Sequence, residues 1–197
     1  DVTPVPKNMY GATKKAAEEL AELVHLDHGL PCVILRTSRF FPEPDDRPEV
    51  AERYEDLNIK TNELLYRRVD LADAVSAHLA ALERAPALGF GRYIVSASTP
   101  FTPEDLVALR SDAASVVRRL FPDYEEIFDR LGWTMLPGIE RVYVNAAARA
   151  DLDWSPLYDF RRALESLRNG LDPRSALALA VGAKGYHSES VHPYTVR

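Results

Sequence analysis

Tyr10 and Lys14 stand four residues apart in the run Tyr10-Gly11-Ala12-Thr13-Lys14. On a helix that spacing puts both side chains on one face. A free tyrosine, with a pKa of about 10, is a poor proton carrier at neutral pH. A neighbouring ammonium favours the phenolate, and the positive end of a helix dipole acts in the same direction. The pair is suited to general acid or base catalysis at a carbonyl or alcohol carbon. A tyrosine four residues before a lysine also recurs in helices that do no chemistry, so the surrounding elements must decide.

Those elements are legible. Ala12, Ala16, Leu20 and Leu23 recur at spacings of three and four and predict a helix from Met9 to about His28, stopped at Gly29 with Pro31 just beyond. Cys32 to Arg36 is a short apolar run without alternation, as expected of a strand covered on both sides in a parallel sheet. Helix, glycine and buried strand make half of a βαβ unit. A proline- and charge-rich stretch follows, from Phe41 to Arg53, read as a loop with a polar helix. Residues 56–66 form another helical stretch. A helix over about Asp73 to Arg84 takes Asp70 or Asp73 as its N-cap. Arg92 to Ser96 and Arg141 to Asn145 read as strands. Helices are expected over 110–120, 123–131, 157–169 and 173–181, with a loose polar tail beyond.

Other reactive side chains carry weaker signals. Cys32 sits in the apolar run and reads as a small core residue, and a single cysteine forms no internal disulfide. His78 lies within an Ala/Leu helix and reads as a packed core histidine. His25 and His28 fall at an exposed helix end, where a cation suits the dipole. Arg67 and Arg68 read either as a solvated pair flanking a short strand, the favoured reading, or as groups that meet the phosphate of a nucleotide-linked substrate. Trp133 and Trp154 read as core or interface aromatics. No cysteine or carboxylate stands at ligand spacing near a histidine, so no metal site is expected.

Taken in order, three stretches carry a resemblance: YGATKKAAEEL, then GLPCVILRTSRFFPE, then YRRVDLADAVSAHLAALE. They resemble the extended short-chain dehydrogenase/reductases, the NAD-dependent epimerase/dehydratase group. In that family a Tyr-x-x-x-Lys helix precedes a strand ending in Leu-Arg. A later Val-Asp-x-x-Asp-x-x-x-Ala-His segment is here Val69, Asp70, Asp73, Ala77 and His78. Residues 148–156 are similar to a late A-x-x-x-L-G-W-x-P signature, with Asp153 in place of glycine. The resemblance runs from residue 1 to about 170 and is carried by the order of the motifs.

The resemblance implies an α/β fold: the C-terminal part of a Rossmann-type doubly wound parallel sheet plus a smaller, mostly helical substrate domain. Residues 1–42 would complete the dinucleotide-binding domain. Residues 43–185 would be mainly substrate domain with some return to the sheet, and 186–197 a tail. Tyr10 would be the catalytic acid/base, and Lys14 would bind the nicotinamide ribose of NAD or NADP and tune Tyr10. Ser38 and Phe40 would lie near that cofactor. Arg39 stands where the family often has a substrate-contacting asparagine. It could fork onto a carboxylate or phosphate of the substrate, or pair with an acidic residue at 43–46.

A dinucleotide fold also needs a glycine-rich turn between its first strand and helix. None of the nine glycines supplies it. The expectation is therefore a fragment, inactive alone, of a homodimeric NAD(P)-dependent enzyme acting on a sugar or nucleotide-sugar-like small molecule. The alternative is a non-catalytic binding or scaffolding protein derived from the same family. A net charge of −6 gives no pull on phosphate backbones, so no nucleic-acid partner is expected. No apolar stretch reaches the length of a membrane span, and the chain reads as cytoplasmic.

Overall fold

The computed structural model describes residues 5–43 and 48–183. The tail at 186–197 and the acidic residues 45 and 46 lie outside them.

Helix α1 (Met9–His28) is capped by Asn8, whose side-chain oxygen accepts from the Gly11 N–H at 2.8 Å. It ends at Gly29, whose φ of 66° is left-handed and suits a residue without a Cβ. Strand β1 (Cys32–Thr37) follows and pairs in parallel with β4 (Phe90–Val95), in register from Cys32 opposite Phe90 to Thr37 opposite Val95. Between them lie α2 (Pro48–Arg53), α3 (Asp56–Glu63) and the long α4 (Leu71–Leu88). Two-residue strands β2 (Arg39–Phe40) and β3 (Arg68–Val69) form a second parallel pair. After β4 come a 3₁₀ turn (Pro103–Asp105), α5 (Leu106–Leu109), α6 (Ala113–Leu120) and α7 (Tyr124–Leu131). Helices α8 (Ala146–Asp151), α9 (Phe160–Arg168) and α10 (Ala176–Val181) close the described chain.

Two apolar clusters hold this arrangement. The larger one lies among the helices and buries Phe41, Leu65, Val117, Phe128, Trp133 and Phe160. The smaller one lies under the sheet, where Ala77 of α4, Tyr93 and Val95 of β4, Leu152 and Trp154 meet. Both tryptophans are core residues, as expected. The architecture is α/β: a small parallel sheet with helices against it, joined to a helical lobe.

Several expectations give way to tertiary context. The stretch 141–145 is not a strand. It follows an irregular path held by the Tyr143 N–H donating to the Tyr66 carbonyl at 2.8 Å, a turn residue that offers no strand to pair with. β1 is half-buried rather than covered on both sides, and Cys32 with it, because no strand among the described residues pairs with its other edge. Helix α1 has no buried residue at all. Its apolar stripe of Ala12, Ala16, Leu20 and Leu23 faces outward, and Leu20 is 61% exposed. The face toward the sheet mixes charged residues with the half-buried Ala21 and Val24. Glu18 receives a two-pronged pair from Arg36 of β1, and Glu22 pairs with Arg92 of β4 at 2.5 Å.

Candidate functional site

Tyr10 and Lys14 occupy the first turns of α1, where the unpaired amides of the helix start concentrate positive charge. The Lys14 ammonium lies 5.6 Å from the centre of the Tyr10 ring. Both line a concavity of about 390 Å³ between α1 and the open edge of β1, together with Glu18, Ile34, Arg36 and Thr37. Tyr10 is 52% exposed, so its ring is accessible from this space. The wall opposite is fixed by charge. Arg36 donates to both Glu18 oxygens at 2.9 and 2.6 Å. These bonds hold the Glu18 carboxyl below its ordinary value and raise that of Arg36.

The chain leaves this concavity through Thr37 and enters the segment that carries the other candidates. Ser38 is buried, and its amide and its hydroxyl both donate to the Val95 carbonyl, at 2.8 and 2.9 Å. Arg39 lies in β2 opposite Arg68, and Phe40 packs against the cluster under the sheet. Sequence reasoning thus names five residues of one region. Two of them share a cavity, and three belong to the strand exit beside it.

Arg67 and Arg68 do not form a solvated pair. Arg68 is fully buried and ion-paired with Glu63, which is itself fully buried and also binds Arg67. Desolvation lowers the pKa of Arg68, against the pull of the Glu63 charge. Sequence reading missed this because α3 is mostly polar, with only Leu57 and Ile59 apolar, which looks like a solvated helix. It nevertheless buries Asn58, Lys60, Thr61, Asn62 and Glu63. His78 also departs from expectation. The residue is exposed rather than packed, with Nδ1 2.7 Å from the Ala74 carbonyl oxygen, and it borders a shallow concavity with Val33 and Leu35 of β1, while Ala74, Ala77 and Ala81 are the residues that pack.

Asp70 and Asp73 act as fasteners. Asp70 caps α4 through the Ala72 N–H at 2.8 Å and also accepts from the Ser175 N–H at 3.0 Å. Asp73 accepts from the amides of Leu157 and Tyr158, both at 2.8 Å. Burial pushes the Asp73 carboxyl up, opposed by these backbone bonds. A second concavity, of about 540 Å³, opens in the helical lobe between Tyr54, Tyr66, Arg67, Leu136, Arg141 and Tyr143. Glu49 and Glu140 line it too, and Arg67 is already paired with Glu63, so it presents charges of both signs beside its aromatic rings.

The first concavity presents a phenol and an ammonium side by side. No glycine among the described residues lies in a turn from a strand into a helix start, the cradle a pyrophosphate needs. The described residues contain no group of three or more His, Cys, Asp or Glu that could hold a metal ion. None of their helices is long and apolar enough to cross a membrane.

No protein-family model matches the chain, and no curated protein does. Among solved structures it is similar to a UDP-N-acetylglucosamine 4-epimerase from Bacillus cereus, with 19% identity, a TM-score of 0.48, and 84% of this chain aligned to 52% of that one. It is also similar to RMD from Pseudomonas aeruginosa complexed with NADPH, at 16% identity and a TM-score of 0.49, covering 86% and 57%. A third is a UDP-glucuronic acid 4-epimerase from Bacillus cereus in complex with NAD and a fluorinated UDP-sugar, at 20% identity and a TM-score of 0.47, covering 86% and 54%. The chain spans little more than half the length of the solved chains it resembles.

Proposed function

We propose that the chain is the acid/base helix and substrate lobe of an NAD(P)-dependent epimerase/dehydratase-type oxidoreductase. Its substrate would carry a hydroxyl or carbonyl carbon on a sugar or a nucleotide-sugar-like molecule. The observation that carries this reading is the shared cavity of Tyr10 and Lys14 at the start of α1, against the edge of β1. A bound nicotinamide would supply hydride transfer. Tyr10 Oη takes the proton from a substrate hydroxyl as the carbonyl forms, and returns it when the carbonyl is reduced. The Lys14 ammonium stabilises the phenolate between these steps and holds the cofactor's ribose. The strand exit at Ser38 and Phe40 flanks the cofactor, and Arg39 reaches the substrate. Arg141 of the second concavity offers a guanidinium group to its phosphate or carboxylate.

The turn that would hold the pyrophosphate is placed, in this reading, on further chain that adds to the open edge of β1. The exposed apolar stripe of α1 is read as the interface of a homodimer. Tyr10→Phe in the full protein tests the central step. Nicotinamide-dependent turnover should fall about a hundredfold or more, the usual contribution of a positioned acid/base, while cofactor binding persists. Unchanged turnover would remove Tyr10 from the chemistry. A protein that neither binds nor turns over a nicotinamide would support the scaffolding alternative.

A further inference from the structure

The segment Phe40–Glu43 joins the strand exit to the helical lobe, and it is buried although it is not regular structure beyond Phe40: Phe41 and Pro42 are both inside. A buried loop must find donors for its carbonyls, because water cannot reach them. Here all four consecutive carbonyls are met by cations. Arg68 Nη1 donates to the carbonyls of Phe40, Phe41 and Glu43 at 2.6, 3.2 and 2.9 Å. Lys60 Nζ donates to that of Pro42 at 3.2 Å. Both side chains are nearly or wholly buried, and Arg68 Nε binds Glu63 at 2.7 Å.

Burying a guanidinium is costly even with a carboxylate beside it, and well-packed apolar residues often do as well for stability. What an apolar residue cannot do is fix the direction of several carbonyls at once. A guanidinium can: the Nε bond to Glu63 pins its plane, and the two N–H groups of Nη1 are shared among the three carbonyls. We infer that Arg68, oriented by Glu63, is a positioning residue that sets the backbone of Phe40–Glu43 and through it the placement of Ser38, Arg39 and Phe40 beside the Tyr10–Lys14 cavity. The positioning stands on this geometry alone. Its catalytic consequence rests on the function proposed above.

Amide hydrogen exchange on this chain reads the positioning directly. In Arg68→Ala, the Phe41 amide, which donates to the Val69 carbonyl, and the Ser38 amide should exchange at least tenfold faster, with α9 amides of the helical core unchanged. Millimolar guanidinium chloride should restore protection by filling the vacated site, and sodium chloride at equal ionic strength should not. If Arg68→Ala does not fold, Arg68→Lys gives the same local reading, since one ammonium cannot serve Glu63 and three carbonyls together. Unchanged exchange at Phe41, or a rise matched by α9, would overturn the inference. In the full protein, Arg68→Lys should then lower kcat more than it raises KM. Failure of the proposed function would show in Tyr10→Phe instead, and would leave the exchange result standing.

Discussion

Asp153 holds a left-handed backbone, with φ of 53°, two residues after α8. Its side chain makes an exposed 3.1 Å pair with Arg84, worth little on its own. The position therefore selects for residues that tolerate positive φ, and aspartate does so through its short polar side chain. Asp153→Gly should leave the melting temperature level or raise it slightly. Asp153→Val should cost about 1–3 kcal/mol from backbone strain, read by thermal unfolding. An equal melting temperature for the two variants would refute the strain argument. This position was legible in the sequence, because a glycine stands there in the pattern the segment resembles. Tyr10 and Lys14 were legible for a related reason: four residues on one helix define a face without any tertiary information. Arg68 was not, since the carbonyls that bury it lie 25 to 28 residues earlier and belong to no recognisable motif.

At the level of elements, α1 is held to the sheet by ion pairs together with a few half-buried contacts, among them Val24 and the His25 ring stacked on Phe90. Glu18 has a depressed pKa, so its contribution is present above its ordinary value of 4.5 and is lost as pH falls through the lower folded value. Acidification should therefore loosen α1 before the helical lobe, seen as faster exchange in α1 amides while Phe128 stays protected. Glu18→Gln should produce the same loosening at neutral pH. If α1 and Phe128 lost protection together, the helix would not be an independently docked element. Asp73 behaves with the opposite sign. Its raised pKa makes its contribution fullest below 3.8 and reduces it as pH climbs through the folded value. Asp73→Asn should flatten that part of the pH–stability curve and cost about 1 kcal/mol for the backbone bond an amide cannot accept. The sequence pattern located α1, β1, α4 and β4 because each follows a local period or a terminal signal. It did not report the pairs that dock α1, because the arginines that attract Glu18 and Glu22 lie on strands and no helical period shows them.

Across the whole molecule, exposed apolar side chains are scattered, and α1 carries one group of them. Met9, Leu20, Leu23 and Leu26 all stand exposed along α1, with Leu26 at 73%. If this stripe is a dimer interface, Leu20→Glu with Leu23→Glu should halve the sedimenting mass of the full protein. A monomer before substitution would end that reading. The two cores were only partly foreseeable. Their division follows from Phe41 and Val69, which open opposite clusters across the β2–β3 pair, and no composition shift marks that boundary. The open side of β1 has a consequence of another kind. Cys32-Val33-Ile34-Leu35 is an apolar, strand-forming run whose outer backbone groups have no strand partner among the described residues, and such a row is a template for the same row in another copy. Concentrated solutions of this chain should therefore scatter light increasingly with time, and the half-exposed Cys32 thiols should cross-link the associated copies under air. A lysine at position 34 should suppress both, since the cheapest guard for a bare strand edge is a charge that a second strand would have to bury.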